Sequence, residues 1–338
     1  MFVVFNKILR ILPFTLLFIL ASCGGKNHFV AINGATMGTT YLIKIVAPPE
    51  KINSENIKKK AETILLQVNQ DMSTYINDSL ISQFNKLNKD KKISVSVDFI
   101  KVLKESNRIN ELTDGSFDIS VLSTVEKLGF GAHKEQSVLN SSKEVKILNN
   151  FGQDQVVIDN NFIYKLKDNI KIDFSSIAKG FAVDKLAELL DSLGFDSYIV
   201  EIGGEIKTKG LNPDSKLWSV AIEKPDPTKR SVLEIIKLNN KAIATSGSYR
   251  NFYINKGKKL THIIDPATGK SVDSNIVSAT VIGESCMTVD ALATAMMIMP
   301  PAKSIKIANN NNLAVMIVEE INGAYKIHYS SSFSEYKK

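Results

Sequence analysis

The hydrophobic and polar positions change period several times along the chain, and each change predicts an element. "FVAINGATMGTTYLIKIVA" (29–47) alternates around glycines as a pair of strands does. In "SENIKKKAETILLQVNQDMSTY", Ile57, Ala61, Ile64, Leu65 and Val68 recur on one helical face, with Ser54 as the expected cap. A second helix, in "DFIKVLKESNRINELTDGSFDIS", should stop at Asp114-Gly115. The lysine- and asparagine-rich stretch 132–170 reads as surface hairpins and loops. "IKIDFSSIAKGFAVDKLAELLDSLGF" predicts a short strand ending at Asp173. A helix should follow from Phe174, capped by Asp173 or Ser175 and closed by Gly194. Five further segments between 196 and 284 read as strands, "TVDALATAMMIM" as a helix ended by Pro300-Pro301, and "NLAVMIVEE" and "AYKIHYS" as two last strands. The sum is an α+β fold, mixed but largely antiparallel, without the regular alternation of a doubly wound sheet.

Composition changes this picture mainly at the N-terminus. The chain has 338 residues, 44% hydrophobic and 23% charged, which suits a globular domain able to bury its own core. Its first residues differ: Lys7 and Arg10 precede an apolar run from Ile11 to Leu20, too short to span a membrane comfortably. Leu20-Ala21-Ser22-Cys23 resembles a bacterial lipobox, and Gly24-Gly25 follow as a tether. The expected organisation is a signal peptide over 1–22, a lipidated Cys23 with its tether over 23–32, and one domain over 33–330. Export and anchoring to a bacterial membrane, facing the periplasm, follow from that resemblance. With Cys23 acylated, Cys286 is the remaining thiol, expected to be a small buried residue. The net charge of +7 is dispersed over lysines without aromatic interleaving, which argues against nucleic acid and is compatible with a phosphorylated ligand or an anionic membrane.

Several segments could carry chemistry. Asp290 and Thr294 are four apart on a predicted helix, so both oxygens share a face in otherwise small or apolar surroundings. Such a pair suits a hard cation such as Mg2+; a dipole-stabilised Asp with a Thr bonded to the preceding turn is the plainer alternative. "IDFSSIAKG" places backbone N–H groups and Lys179 where they could meet a phosphate, unless Lys179 is simply solvated. Gly203-Gly204 lacks the G-x-G-x-x-G spacing, and Ser246 lacks a G-x-S-x-G setting. His262, in "KKLTHIIDPATGKSV", stands three residues before a turn formed by Asp265 to Gly269, where a strand would hold it.

In order along the chain, "TMGTTYLIK", "MSTYINDSLISQFN", "TDGSFDIS" with "LGFG", "IDFSSIAKGFAVD", "EIGGEI", "ATSGSYRNFY", "THIIDPATG" and "VDALATA" resemble the ApbE family of FAD:protein FMN transferases. The resemblance covers about 33 to 325. It implies an exported, often lipid-anchored enzyme that uses FAD and Mg2+. Such an enzyme moves FMN to a Thr or Ser hydroxyl of an acceptor protein, typically a membrane redox subunit with a flavinylation motif, and releases AMP. By motif, Met37 and Tyr75 would line the flavin pocket, and Ser116, Phe117 and Asp118 the adenine side. Asp173, Lys179 and Ile263 would also touch the cofactor. The Ser176 carbonyl, Asp290 and Thr294 would hold the metal, and His262 would be the base. Ser175-Ser176 and Phe174 depart from the usual family residues; a backbone ligand tolerates the first change, and the second reads as a core substitution. Hydrolysis of FAD by water, or flavin binding without turnover, are the alternatives the sequence leaves open.

Overall fold

The computed structural model describes residues 28–132, 151–255 and 257–337. Cys23, the signal segment and residues 133–150 of the lysine- and asparagine-rich stretch lie outside the described residues. The chain opens with the hairpin β1 (Phe29–Thr36) and β2 (Thr39–Val46), then α1 (Ser54–Met72) and α2 (Leu80–Lys86). After β3 (Ile93–Ser94) come α3 (Val97–Leu112) and α4 (Leu122–Lys127), and β4 (Val156–Asp159) pairs with β5 (Phe162–Lys165). Helix α5 (Ala178–Ser192) leads to β6 (Tyr198–Ile202), β7 (Glu205–Lys209), β8 (Trp218–Glu223), β9 (Val232–Leu238) and β10 (Ala242–Gly247). Short strands β11 (Phe252–Asn255), β12 (Lys258–Thr261), β13 (Ile264–Asp265) and β14 (Lys270–Ser271) precede the long β15 (Ile276–Gly283). The chain closes with α6 (Cys286–Ile298), α7 (Pro301–Asn310), β16 (Ala314–Ile321), β17 (Ala324–Tyr329) and a 3-10 turn over Ser331–Tyr336.

Eight strands form one antiparallel sheet in the order β1-β2-β6-β7-β10-β15-β16-β17, which is also their order along the chain. One face carries the main core, shared with α1, α3, α5 and α6. The other face is covered by the β8–β9 hairpin and by Phe333 of the last turn. Strand β15 lies inside the sheet, so both its faces are buried, and its sequence "IVSATVIG" is apolar or small throughout rather than alternating.

Local chemistry explains where the sequence expectations shift. The cap of α1 is Asn53, not Ser54: its Oδ1 accepts the Asn56 N–H at 3.0 Å, and Ser54 is the first helical residue. Helix α5 begins at Ala178, four residues later than its apolar spacing suggests. Asp173 Oδ1 takes the N–H and hydroxyl of Ser175 at 3.0 and 2.5 Å, and that local bonding makes a turn of the segment instead. Gly194 closes the helix as expected, its N–H reaching the Asp191 carbonyl at 2.9 Å. Pro300-Pro301 ends α6 and also begins α7, because a proline at the first helical position loses no hydrogen bond.

Two sets of contacts position α5 and, through it, α6. Where α5 crosses it, a Cβ on Gly180 would stand 2.3 Å from the Cys286 carbonyl oxygen and 2.8 Å from Asp290 Cβ. The absent side chain lets the Gly180 N–H donate to Asp290 Oδ2 at 2.9 Å. The second set is a row of charges. The positive-φ turn Gly203-Gly204 pairs Ile202 with Glu205, Val200 with Lys207 and Tyr198 with Lys209, so all three charged residues share the buried face of the apolar ones. Each meets a charge on the helix above: Glu205 with Lys179 at 3.0 Å, Lys207 with Asp184 at 2.6 Å and Lys209 with Asp191 at 3.0 Å.

Gly180→Ala therefore places a methyl against backbone. Expected is a destabilisation of about 1–3 kcal/mol, the usual cost of overpacking, read from urea unfolding. A variant as stable as the parent would show that the two helices separate freely.

Candidate active site

Two adjoining clefts, of about 390 and 660 Å3, are both lined by Thr74, Tyr75, Ser175 and Lys179, and the smaller opens beside α6. The smaller gathers Ser116, Phe117, Asp118, Asp173, Ser176, His262, Ile263, Asp290 and Thr294 from four separate parts of the chain. Met37, at a positive φ of 49° in the β1–β2 turn, lines the larger cleft with Val68 and Met72 of α1. Every candidate residue of the sequence reading within the described residues thus lines one cleft or both.

The polar centre is Lys179. Its Nζ lies 3.0 Å from Glu205 Oε1 and 3.7 Å from Asp290 Oδ1. The lysine is thus ion-paired and only partly exposed. Burial acts to lower its pKa, but Asp290 and then Glu205 outweigh burial and hold it above the ordinary lysine value. One ammonium faces two carboxyls, so one negative charge is in surplus. Burial raises the Asp290 carboxyl, against Lys179 and the Gly180 N–H. Burial likewise pushes Glu205 up to about 7, and its Oε2 is buried without a hydrogen-bond partner. Thr294 Oγ1 stands 3.0 Å from Ser246 Oγ on β10, rather than bonding back into its own helix.

His262 sits on a bend between β12 and β13, not within a strand as its sequence setting suggests. It is held from two sides. Its Nδ1 lies 3.3 Å from the Asn251 carbonyl, and a carbonyl can only accept, so Nδ1 carries the hydrogen and Nε2 keeps a lone pair. Phe130 of "LGFG" meets the imidazole edge-on with ring centroids 6.1 Å apart. Phe130 is itself packed at 5.2 Å against Tyr253, whose hydroxyl donates to the Leu128 carbonyl. Burial is the main reason the imidazole sits below its ordinary pKa. Lys179 adds to the lowering, while the Asn251 carbonyl and Asp173 oppose it. Asp118 and Asp173 are local organisers as well as lining: Asp118 Oδ1 takes the Ser120 N–H and hydroxyl at 2.7 and 2.6 Å, as Asp173 does with Ser175.

Residues 37–317 match the ApbE family across most of the chain. The chain belongs to the ApbE family. The FAD:protein FMN transferase of Vibrio cholerae is 39% identical over 321 residues, covering 95% of this chain and 96% of that one. Its counterpart in Escherichia coli K12 is 32% identical over 319 residues, covering 92% and 91%. The solved structure of the flavin transferase ApbE from Vibrio cholerae superposes with a TM-score of 0.83 at 38% identity, over 92% of this chain and 99% of that one. The apo flavinyl transferase ApbE of Pseudomonas stutzeri gives 0.83 at 29% identity, over 92% and 97%. The mixed, largely antiparallel α+β architecture is thus that of the ApbE structures.

Within this ApbE fold the donors at α6 suit a hard cation. All are oxygens, and the surplus buried carboxylate charge with its orphaned Glu205 oxygen is what a bound cation would relieve. Among the described residues no group of three or more His, Cys, Asp or Glu side chains is spaced to hold a metal. A site here therefore draws on hydroxyl and carbonyl oxygens beside Asp290. Sequence reasoning assigned no role to Glu205, although its signal was present: a two-residue glycine turn pairs it with Ile202, and a partner shares its neighbour's face. Cys286 is fully buried, and burial drives its thiol well above the ordinary value, so it is no nucleophile.

The ordinary value for Glu205 is 4.5, so the folded chain holds this proton to higher pH. The stability tied to it is complete below that value and is lost as pH rises through about 7. Glu205→Gln is expected to gain stability over the parent at pH 8 and to gain little at pH 5, in paired urea titrations. A gap that does not change with pH would show that Glu205 is ionised throughout.

Proposed function

We propose that this chain transfers the FMN half of FAD to a threonine or serine hydroxyl of a partner protein and releases AMP. The observation that carries the reading is one cleft where a neutral imidazole, a charged lysine and a buried oxygen-donor pair converge. The acceptor oxygen attacks the phosphorus on the riboflavin side of the pyrophosphate. The bond from that phosphorus to the bridging oxygen breaks, and AMP leaves with that oxygen. The acceptor's proton passes to Nε2 of His262, the nitrogen left free by the Asn251 contact. Lys179 offers a positive charge to the phosphates from the centre of the cleft. Bound by Asp290, Thr294 and the Ser176 carbonyl, Mg2+ would neutralise pyrophosphate charge.

Met37 and Tyr75, beside Val68 and Met72, offer the flavin ring an apolar slot, while Ser116, Phe117 and Asp118 offer the adenine a mixed one. Asp173 and Ile263 complete the lining. The acceptor is a protein with a flavinylation motif, of which a membrane redox subunit is the expected kind. Anchoring through a lipid on Cys23, at the periplasmic side of a bacterial membrane, rests on the lipobox resemblance. No helix among the described residues is long and apolar enough to cross a membrane.

The decisive experiment incubates purified protein with FAD, Mg2+ and a protein carrying an acceptor threonine, and reads the acceptor by mass spectrometry. Expected is a gain of one FMN. His262→Ala should slow it by roughly a hundredfold or more, the scale of general-base catalysis. FMN and AMP with an unmodified acceptor would make hydrolysis the activity, and unchanged FAD would leave only binding.

The lowered imidazole also sets a pH dependence. Protonation removes the base, so kcat/KM for transfer should fall on the acid side with an apparent pKa below the ordinary histidine value of 6.5. A limb centred above pH 7 would assign the proton transfer to another group.

A further inference from the structure

Asp184 is a buried carboxylate on α5 that lines neither cleft, and its partners are unusual. Its Oδ1 takes the Cys286 N–H at 3.1 Å, and its Oδ2 takes the Met287 N–H at 3.0 Å and the Ser285 hydroxyl at 2.8 Å. Lys207 of β7 donates to Oδ1 at 2.6 Å. Ser285, the local cap of α6, serves the next donor, the Thr288 N–H, at 3.3 Å. The first two N–H groups of α6 are therefore satisfied by another helix, and only the third by its own cap.

Asp184 follows Gly180 by one helical turn, so both face α6. At Gly180, α5 gives an N–H to the Asp290 carboxylate of α6. At Asp184, α6 gives two N–H groups to a carboxylate of α5. The bonds run in opposite directions at two points one turn apart. One contact alone would allow α6 to pivot; two fix its rotation and its height along α5. That height sets where Asp290 and Thr294 stand relative to the Ser175–Lys179 turn.

From this reciprocal pair of contacts we infer that Asp184 is a positioning residue for the cation site, holding α6 so that Asp290 and Thr294 present their oxygens to Mg2+. The inference rests on the reading of those two residues as metal ligands.

The test measures how much Mg2+ alone, without FAD, raises the thermal unfolding midpoint of the full chain. Metal bound only by the folded state produces such a rise. Asp184→Asn is expected to need about tenfold more Mg2+ for the same rise, the low end of what outer partners of metal ligands contribute. The same shift should appear in the Mg2+ dependence of AMP release, with FAD affinity within about twofold of the parent by flavin fluorescence. Asn53→Ala, which loses the cap of α1 and touches neither Asp184 nor α6, should lower the midpoint and leave the Mg2+ requirement unchanged. Lys207→Met keeps the carboxylate but frees it from its cation; a smaller shift in the same direction is expected, and this variant decides the matter if Asp184→Asn does not fold. An unchanged Mg2+ requirement in the folded Asp184 and Lys207 variants, or an equal shift in Asn53→Ala, overturns the inference. Asp290→Asn separates the two readings: if it too leaves the Mg2+ requirement untouched, the metal reading itself fails.

Discussion

The site depends on two helices touching backbone to backbone. At Gly180 there is no room for even a methyl, and that closeness brings a main-chain N–H to a carboxylate that would otherwise be buried beside one lysine. A carboxylate in the first turns of a largely apolar helix is costly unless its oxygens are satisfied. Here the satisfaction comes from across the crossing rather than from water. The core around α6, its stripe of small residues and the row of charges beneath α5 all serve to keep that distance short.

Around this crossing the cleft has a consistent electrostatic logic. Lys179, locked between two carboxyls, stays charged despite burial, whereas His262, walled by Phe130 and short of counter-charge, stays neutral. A fixed cation and an uncharged base in one cleft are the two states that attack on a pyrophosphate requires. They arise from opposite treatments of burial: one group has its opposite charges within reach, and the other faces mainly a ring and a carbonyl.

Much of this was legible in the sequence, for identifiable reasons. The β1–β2 hairpin, α1, α3 and the strands around "EIGGEI" follow their periods, because each buries one face of an otherwise solvated element. Asp290 and Thr294 could be paired from spacing alone, since helical geometry is rigid. The start of α5 was misplaced because periodicity does not register an aspartate bonding to the serine two residues on. Helices α2, α4 and α7 went unread: they run for 7, 6 and 10 residues, and two or three turns give too few apolar positions to establish a period. His262 stands on a bend and packs against Phe130, a contact distant in sequence that local pattern does not register. That Glu205, Lys207 and Lys209 meet charges under a helix depends on α5 lying over them, which the strand pattern alone does not contain.

The strand order of the large sheet has a topological consequence. Because spatial order repeats chain order, each strand joins an edge that already exists, and none must be slid between two partners already paired. The sheet can be extended in one direction, from β1 toward β17, without undoing a single ladder. The cleft does not share this modularity. Its lining comes from the first hairpin, the middle of the chain and α6, so a chain halted before residue 286 could hold six neighbouring strands in register and still have only part of a site.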